Sequence, residues 1–324
     1  MEEKMDLLLK NGLVVTENEC KRVDIAVKNG KIAGLLERGS KTCCSEKEID
    51  CQGKVILPGA IDTHSHFFEP GEPSKYRDDF YTATMAAAAG GYTTCIEMPQ
   101  SIPPVVNKEA FLLKKKLATE KAVVDFALWG GLVPSSLDKI KELKEEGCVA
   151  FKAFTSDAGP DYEMCSDYDL LEGMKIVKAV GGLVGIHAEN DSICRKMTEY
   201  YRGMKTICPE YHEASRPWYA ELEAVSRCIL WSRITECPVM ICHLSIPEGA
   251  EQIKKEKEAG NKFIFAETCA HYLLFDTDTL KKYGAFARCN PPLRSPERRE
   301  KLWEYVLNGT IEVIGSDHAS YTHE

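Results

Sequence analysis

Eight short apolar segments alternate with longer helical stretches, and no glycine-rich nucleotide-binding turn follows the first of them. These observations predict an α/β chain, a TIM (β/α)8 barrel preceded by a small N-terminal β unit, in preference to a doubly wound sheet. The apolar segments are 55–61, 93–98, 123–128, 149–154, 183–187, 239–243, 262–267 and 311–316. Helical stretches are expected between them at 137–146, 170–180, 220–235 and 247–258.

The N-terminal unit is read over residues 1–54 and the barrel over 55–324. Within the first unit, Leu7-Leu8-Leu9-Lys10 and Ile25-Ala26-Val27-Lys28 each run into Asn-Gly, at Asn11-Gly12 and Asn29-Gly30. Asn-Gly favours the turn of a two-residue hairpin because both central residues need positive φ. Residues 31–36 are the expected partner strand of the second turn. So small an antiparallel unit is marginal by itself. Only a few residues follow the eighth barrel segment, with no closing helix, and the N-terminal hairpins lack further strands to pair with. The expectation is part of a β-sandwich whose C-terminal strands are missing, on a barrel truncated after strand 8, hence a truncated chain or a fragment.

The 324 residues are 44% hydrophobic and 28% charged, ordinary for a soluble globular protein. The net charge of -9 argues against a nucleic-acid binder, which would show a basic face. No apolar run approaches the roughly 20 residues of a membrane helix, and the charged start Met1-Glu2-Glu3-Lys4 shows no secretory signal. The fourteen cysteines are scattered, without a paired CxxC. They read as reduced thiols of a cytoplasmic enzyme, not as a zinc ribbon.

The stretch richest in chemistry is Pro58-Gly59-Ala60-Ile61-Asp62-Thr63-His64-Ser65-His66. Histidines at i and i+2 of a strand point the same way and can reach one metal. Their place at the C-terminal end of the first barrel strand strengthens the reading, because barrel active sites are built on that face. Further ligand types stand in or at the ends of later strand segments: Lys152, His187, His243 and Asp317. His212 and His323 are expected to be ordinary core or surface histidines. Lysine is rarely buried unpaired, so Lys152 either snorkels to a carboxylate or carries its amine as a carbamate, an anionic ligand able to bridge two cations. The residues alone leave both open.

On these motifs the chain resembles the amidohydrolase superfamily, in its cyclic amidohydrolase branch of allantoinases, dihydroorotases and hydantoinases, over nearly its whole length to Asp317. The resemblance implies a pair of divalent ions, zinc first, with iron, manganese or cobalt acceptable. It implies that His64, His66, Lys152, His187, His243 and Asp317 hold them, that Lys152 is the N6-carboxylated bridge, and that a hydroxide sits between the ions. Asp317 would act as general base and then acid. It also implies a small cyclic ureide as substrate and a homodimer or homotetramer, with no nucleic-acid or membrane partner.

Within the branch, dihydroorotases carry an arginine two residues after the second histidine, where this chain has Phe68; losing that bidentate carboxylate partner argues against dihydroorotate. Ala214-Ser215-Arg216-Pro217, His243-Leu244-Ser245-Ile246-Pro247-Glu248-Gly249 and Glu267-Thr268-Cys269-Ala270-His271-Tyr272 look closest to allantoinase. Asn290-Pro291-Pro292-Leu293-Arg294 is written as in dihydroorotases, and Met98-Pro99-Gln100-Ser101 is one residue short of the allantoinase loop. Allantoin, opened to allantoate in purine catabolism, is therefore the first substrate expected. A hydantoinase or dihydropyrimidinase, a dihydroorotase, and a non-catalytic barrel homologue are the alternatives. Phe68, Ser245, Asn290 and His271 are the expected substrate contacts, and Arg216 is expected either to serve substrate or to pair with a carboxylate near the following helix. Lys114-Lys115-Lys116 and Lys254-Lys255-Glu256-Lys257 read as solvated helix faces.

Overall fold

The structure of the protein, a computed structural model, describes residues 4–39, 44–67, 69–71, 77–204 and 208–320. The chain divides into two compact units, Met1–Ala60 and Ile61–Glu324.

The first unit holds β1 (Met5–Lys10), β2 (Leu13–Val15), β3 (Cys20–Lys28), β4 (Lys31–Glu37), β5 (Ser45–Asp50) and β6 (Val55–Ile56). Asn29-Gly30 makes the expected hairpin: Lys28 pairs with Lys31, and the two turn residues have φ of 49° and 71°. The first Asn-Gly does not. Asn11 turns the chain with φ 64°, but β1 and β2 lie along different halves of the nine-residue β3. Leu7–Leu9 face Val27–Ile25, and Leu13–Val15 face Arg22–Cys20. The Asn11 N–H donates to the Asp24 carboxylate at 2.8 Å, which holds the turn against β3 and away from a β1–β2 pairing. Leu8, Val14, Ile25 and Ala26 are the buried apolar residues of this unit's strands, with Asp24 buried beside Ile25 and Cys51 just beyond β5.

The segment expected as one strand over 55–61 is two. Pro58 offers no N–H to a ladder, so Val55–Ile56 pairs with β2 while β7 starts afresh at Ala60. The barrel strands are β7 (Ala60–His66), β8 (Tyr92–Glu97), β9 (Asp125–Leu128), β10 (Gly130–Gly131), β11 (Phe151–Phe154), β12 (Val184–His187), β13 (Val239–Ile241), β14 (Ile264–Cys269), β15 (Val313–Gly315) and β16 (His318–Ala319). β9 and β10 are one barrel strand interrupted at Trp129, and β15 and β16 are one interrupted at Ser316-Asp317. The neighbour order then runs once around eight positions. β16 closes it by pairing in parallel with β7, His318 opposite Ser65. The fold is a TIM barrel, as the alternation of segments predicts.

β11 and β12 are buried at every position, the pattern of strands covered on both faces. Outside them the helices Asp167–Ala179, Trp218–Thr235 and Pro247–Glu258 turn Met174, Val177, Ala224, Val225, Cys228, Ala250 and Ile253 onto the sheet. No helix among the described residues is long and apolar enough to cross a membrane.

Candidate metal centre and active site

Period-two alternation brings Asp62, His64 and His66 of β7 to one side of the strand. Asp62 accepts from the backbone of His64 at 3.2 Å and of Ser316 at 3.0 Å, and so ties the first barrel strand to the last. The His64 Nδ1 lies 2.6 Å from Glu267 Oε2, and Glu267 Oε1 accepts from the Thr63 hydroxyl at 2.8 Å. Bonding to a buried carboxylate keeps a proton on Nδ1 and turns Nε2 inward. The Nε2 atoms of His64 and His66 each sit 3.2 Å from Asp317 Oδ1.

A second group mirrors the first. His187 Nε2 lies 2.6 Å from Glu189 Oε2, which leaves Nδ1 as the inward nitrogen, 3.1 Å from His243 Nε2. Glu189 is fixed in turn by Arg216, whose Nε donates to Oε1 at 3.0 Å. Lys152 completes the set from the middle of β11, fully buried. His243 and Asp317 adopt left-handed backbone, with φ of 39° and 49°. Non-glycine residues held there cost roughly 1–3 kcal/mol each and cluster at functional sites.

The charges inside the site govern one another. Burial works against ionising Glu189, yet the His187 hydrogen bond and the Arg216 guanidinium hold its carboxyl at about 2. Burial and the Lys152 cation oppose protonation of His64, but Glu267 and Asp317 prevail and raise it to about 10. Burial dominates at His66, which falls to about 4. Asp317 lies well below the usual carboxylate range: burial opposes this, and the imidazoles of His64, His66 and His243 outweigh it.

His64, His66, Lys152, His187, His243 and Asp317 all line one cavity of about 1040 Å³. Three of their atoms, Lys152 Nζ, His64 Nε2 and His243 Nδ1, are buried and make no hydrogen bond among the described residues; the 3.2 Å approach of His64 Nε2 to Asp317 is not one. A buried polar atom left unpaired costs about 1–3 kcal/mol, and an ion is one of the few things that explain several in one place. The donor atoms of His64, His243 and Asp317 lie within 4.8 Å of one another. Imidazole nitrogens with a carboxylate suit zinc, iron, manganese or cobalt, so the residues present fit a transition-metal centre.

Of the expected substrate contacts, Asn290 lines the same cavity. Ser245 is not among the lining residues; its N–H and its hydroxyl both go to Glu221, and its oxygen accepts from Arg294 Nε at 3.0 Å. His271 lines a neighbouring, largely apolar cavity of about 400 Å³ with Phe275, Tyr283 and Leu293. Phe68 and His323 lie outside the described residues. His212 borders the main cavity and bonds the Cys289 carbonyl at 2.7 Å, apart from the six.

Two readings of the sequence need correction. Lys114 is no solvated charge: its Nζ is fully buried, 2.9 Å from Glu97 Oε1 and 2.6 Å from the Met98 carbonyl. Glu97 accepts from Phe67 N at 3.0 Å, one residue past His66. Arg216 does pair with a carboxylate, but with Glu189 ahead of it instead of one beside the helix that follows. Four acids given no structural role in the sequence reading, Glu97, Glu189, Glu221 and Glu267, thus hold the parts of the site in place. Glu97 and Glu267 are lone acids in strands beside buried neighbours, the same signal that singles out Lys152, whereas Glu189 and Glu221 stand two residues from Asp191 and Glu223 and carry no such signal.

A family model described as the amidohydrolase family matches residues 55–324. An allantoinase of Escherichia coli O9:H4 (strain HS) is 37% identical over 320 residues, 97% of this chain and 69% of that protein. The allantoinase of E. coli K12 is 36% identical over the same shares. Among solved structures, the L-hydantoinase (dihydropyrimidinase) from Arthrobacter aurescens superposes with a TM-score of 0.94 at 33% identity, covering 98% of this chain and 70% of that one. A dihydropyrimidinase from Brevibacillus agri NCHU1002 gives 0.89 at 27% identity, over 99% and 70%.

Proposed function

The chain belongs to the amidohydrolase family and is a cyclic amidohydrolase, and from that premise we propose that it opens the ring of allantoin to allantoate. The observation that carries the chemistry is the convergence of six ligand-type side chains, three with unpaired buried atoms, on one cavity. The choice of allantoin is supported by the allantoinases at 36–37% identity.

The family is metal-dependent. We assign His64, His66, Lys152, His187, His243 and Asp317 to a pair of divalent cations, zinc first, with Lys152 carboxylated on Nζ. A carbamate would turn a fully buried lysine, with no hydrogen-bond partner among the described residues, into an anionic ligand. When bound, such cations polarise the ring carbonyl and acidify water. Glu267 and Glu189 hold the His64 and His187 rings by their outer nitrogens and aim the inner ones at the cavity; at His64, raised to about 10, the inner proton would be displaced by a cation. Asp317 takes a proton from the attacking water and returns it to the ring nitrogen as the C–N bond breaks. The carbonyl carbon leaves as a carboxylate, and the second proton of the water goes to solvent. Asn290 offers one amide donor pair and one acceptor to the ring edge.

A hydantoin or dihydropyrimidine ring is the second reading, favoured by the 0.94 TM-score to a hydantoinase. The deciding experiment is hydrolysis of allantoin, hydantoin, dihydrouracil and dihydroorotate by the metal-loaded protein. A kcat/KM highest for allantoin is the expected result. A higher value for dihydrouracil or hydantoin selects the second reading, and rapid hydrolysis of dihydroorotate refutes the reading of Phe68.

A further inference from the structure

Cys269 and His271 are not among the six residues assigned above, yet they border them. Cys269 ends β14, fully buried, and its thiol makes no hydrogen bond among the described residues. His271 follows on the short helix Ala270–Leu274, and its Nε2 is buried with no hydrogen-bond partner among the described residues. One donor atom from each of Cys269, His271 and Asp317 falls within 4.8 Å of the others. A buried thiol, an unpaired imidazole nitrogen and a carboxylate therefore converge on one point.

We propose that Cys269, His271 and Asp317 form a third, inhibitory cation site for a soft divalent ion such as cadmium or excess zinc. Sulfur, nitrogen and oxygen together select such ions over magnesium or calcium, which take oxygen ligands. Bonds of about 2.3 Å to sulfur and 2.0–2.1 Å to nitrogen put tetrahedral donors roughly 3.6 Å apart. To bind, the three donors must close from within 4.8 Å to that spacing. Binding is an exchange: the S–H bond breaks, its proton leaves to solvent, and the sulfur electron pair goes to the cation. Asp317 lines the main cavity and His271 the smaller one, so two of the three ligands border open space, with the Cys269 thiol buried behind them. Inhibition follows because this additional cation takes the Asp317 oxygen that the assigned pair leaves free for the proton, a consequence that rests on the reading of Asp317 given above.

The test titrates the metal-loaded enzyme with cadmium and reads three quantities: cadmium bound per chain, the ultraviolet cadmium–thiolate charge-transfer band, and the rate of ring opening. One additional cadmium is expected per chain, with the band rising in step. The rate should fall roughly 100-fold, the low end of what a general base contributes. Cys269→Ser should bind no additional ion, show no band and keep its rate at the same cadmium concentration; Cys269→Ala serves if the serine variant fails to fold. A band that persists without Cys269 overturns the site and points to Cys242, which lies with His64 and Glu267. Extra cadmium without a band overturns it as well. A band lost with Cys269, but with no change in rate, overturns the inhibitory role while leaving the ring-opening reading intact.

Discussion

Gly315→Ala displaces one carboxylate and leaves the six assigned residues chemically unchanged. A Cβ at this position would stand 2.6 Å from Glu267 Oε1, 3.0 Å from its Cδ and 3.1 Å from the His64 Cβ. Nonbonded heavy atoms settle about 3.5 Å apart, so the carboxylate must retreat by roughly 0.9 Å. The φ of Gly315 is outside the left-handed region, so alanine adds no backbone strain there. Glu267 is fully buried and holds His64 Nδ1 at 2.6 Å and Thr63 at 2.8 Å; a retreat of that size breaks at least one of these bonds. Losing a partner behind a metal-binding histidine costs about 10–100-fold in metal affinity, which is roughly 1.4–2.8 kcal/mol. Overpacking adds about 1–3 kcal/mol of lost fold stability. Competition with a chromogenic chelator reads the affinity, and allantoin hydrolysis at saturating metal reads whether the site recovers. A variant with wild-type metal affinity and full activity would show that Glu267 does not govern His64.

Asp317→Asn should lower kcat by about 100- to 10,000-fold, the range of a general acid–base group, and a kcat within a factor of about two of wild type would remove Asp317 from the proton path. Lys114→Met leaves Glu97 buried and unpaired; breaking a buried pair in this way costs about 3–5 kcal/mol, to be read as a fall in the denaturant midpoint. Burial pushes the thiols of Cys148, Cys228 and Cys237 up to about 12. They should therefore stay unmodified by a disulfide reagent at neutral pH until the chain unfolds, as mass spectrometry of the labelled peptides would show.

The barrel was legible because strands covered on both faces are written as apolar runs, and those runs end on ligand-type residues. His64 and His66 followed from period two, and His187 and His243 from their place at strand ends. Local pattern failed where a partner lay far along the chain. Glu267 meets His64 across 203 residues, and Arg216 meets Glu189 across 27; no window of sequence holds both members of either pair. Lys114 was hidden differently, inside a run of three lysines. Helical periodicity could have exposed it, because Ala110, Phe111, Lys114 and Ala118 fall on one buried face of the helix Lys108–Lys121. The first Asn-Gly turned the chain as written, yet only the length of β3 decided what the turn would join. The left-handed backbone at His243 and Asp317 has no sequence signature, since neither residue requires it.

Metal content of the purified protein beside Lys152→Ala, by elemental mass spectrometry with intact-mass detection of a carbamate on the wild type, tests the assigned centre most directly. About two divalent ions per chain, as in a two-metal site, are expected for the wild type and their loss for the variant, with ring-opening activity lost alongside. A protein that opens allantoin at full rate without metal, or a Lys152→Ala variant that keeps both ions, would contradict it.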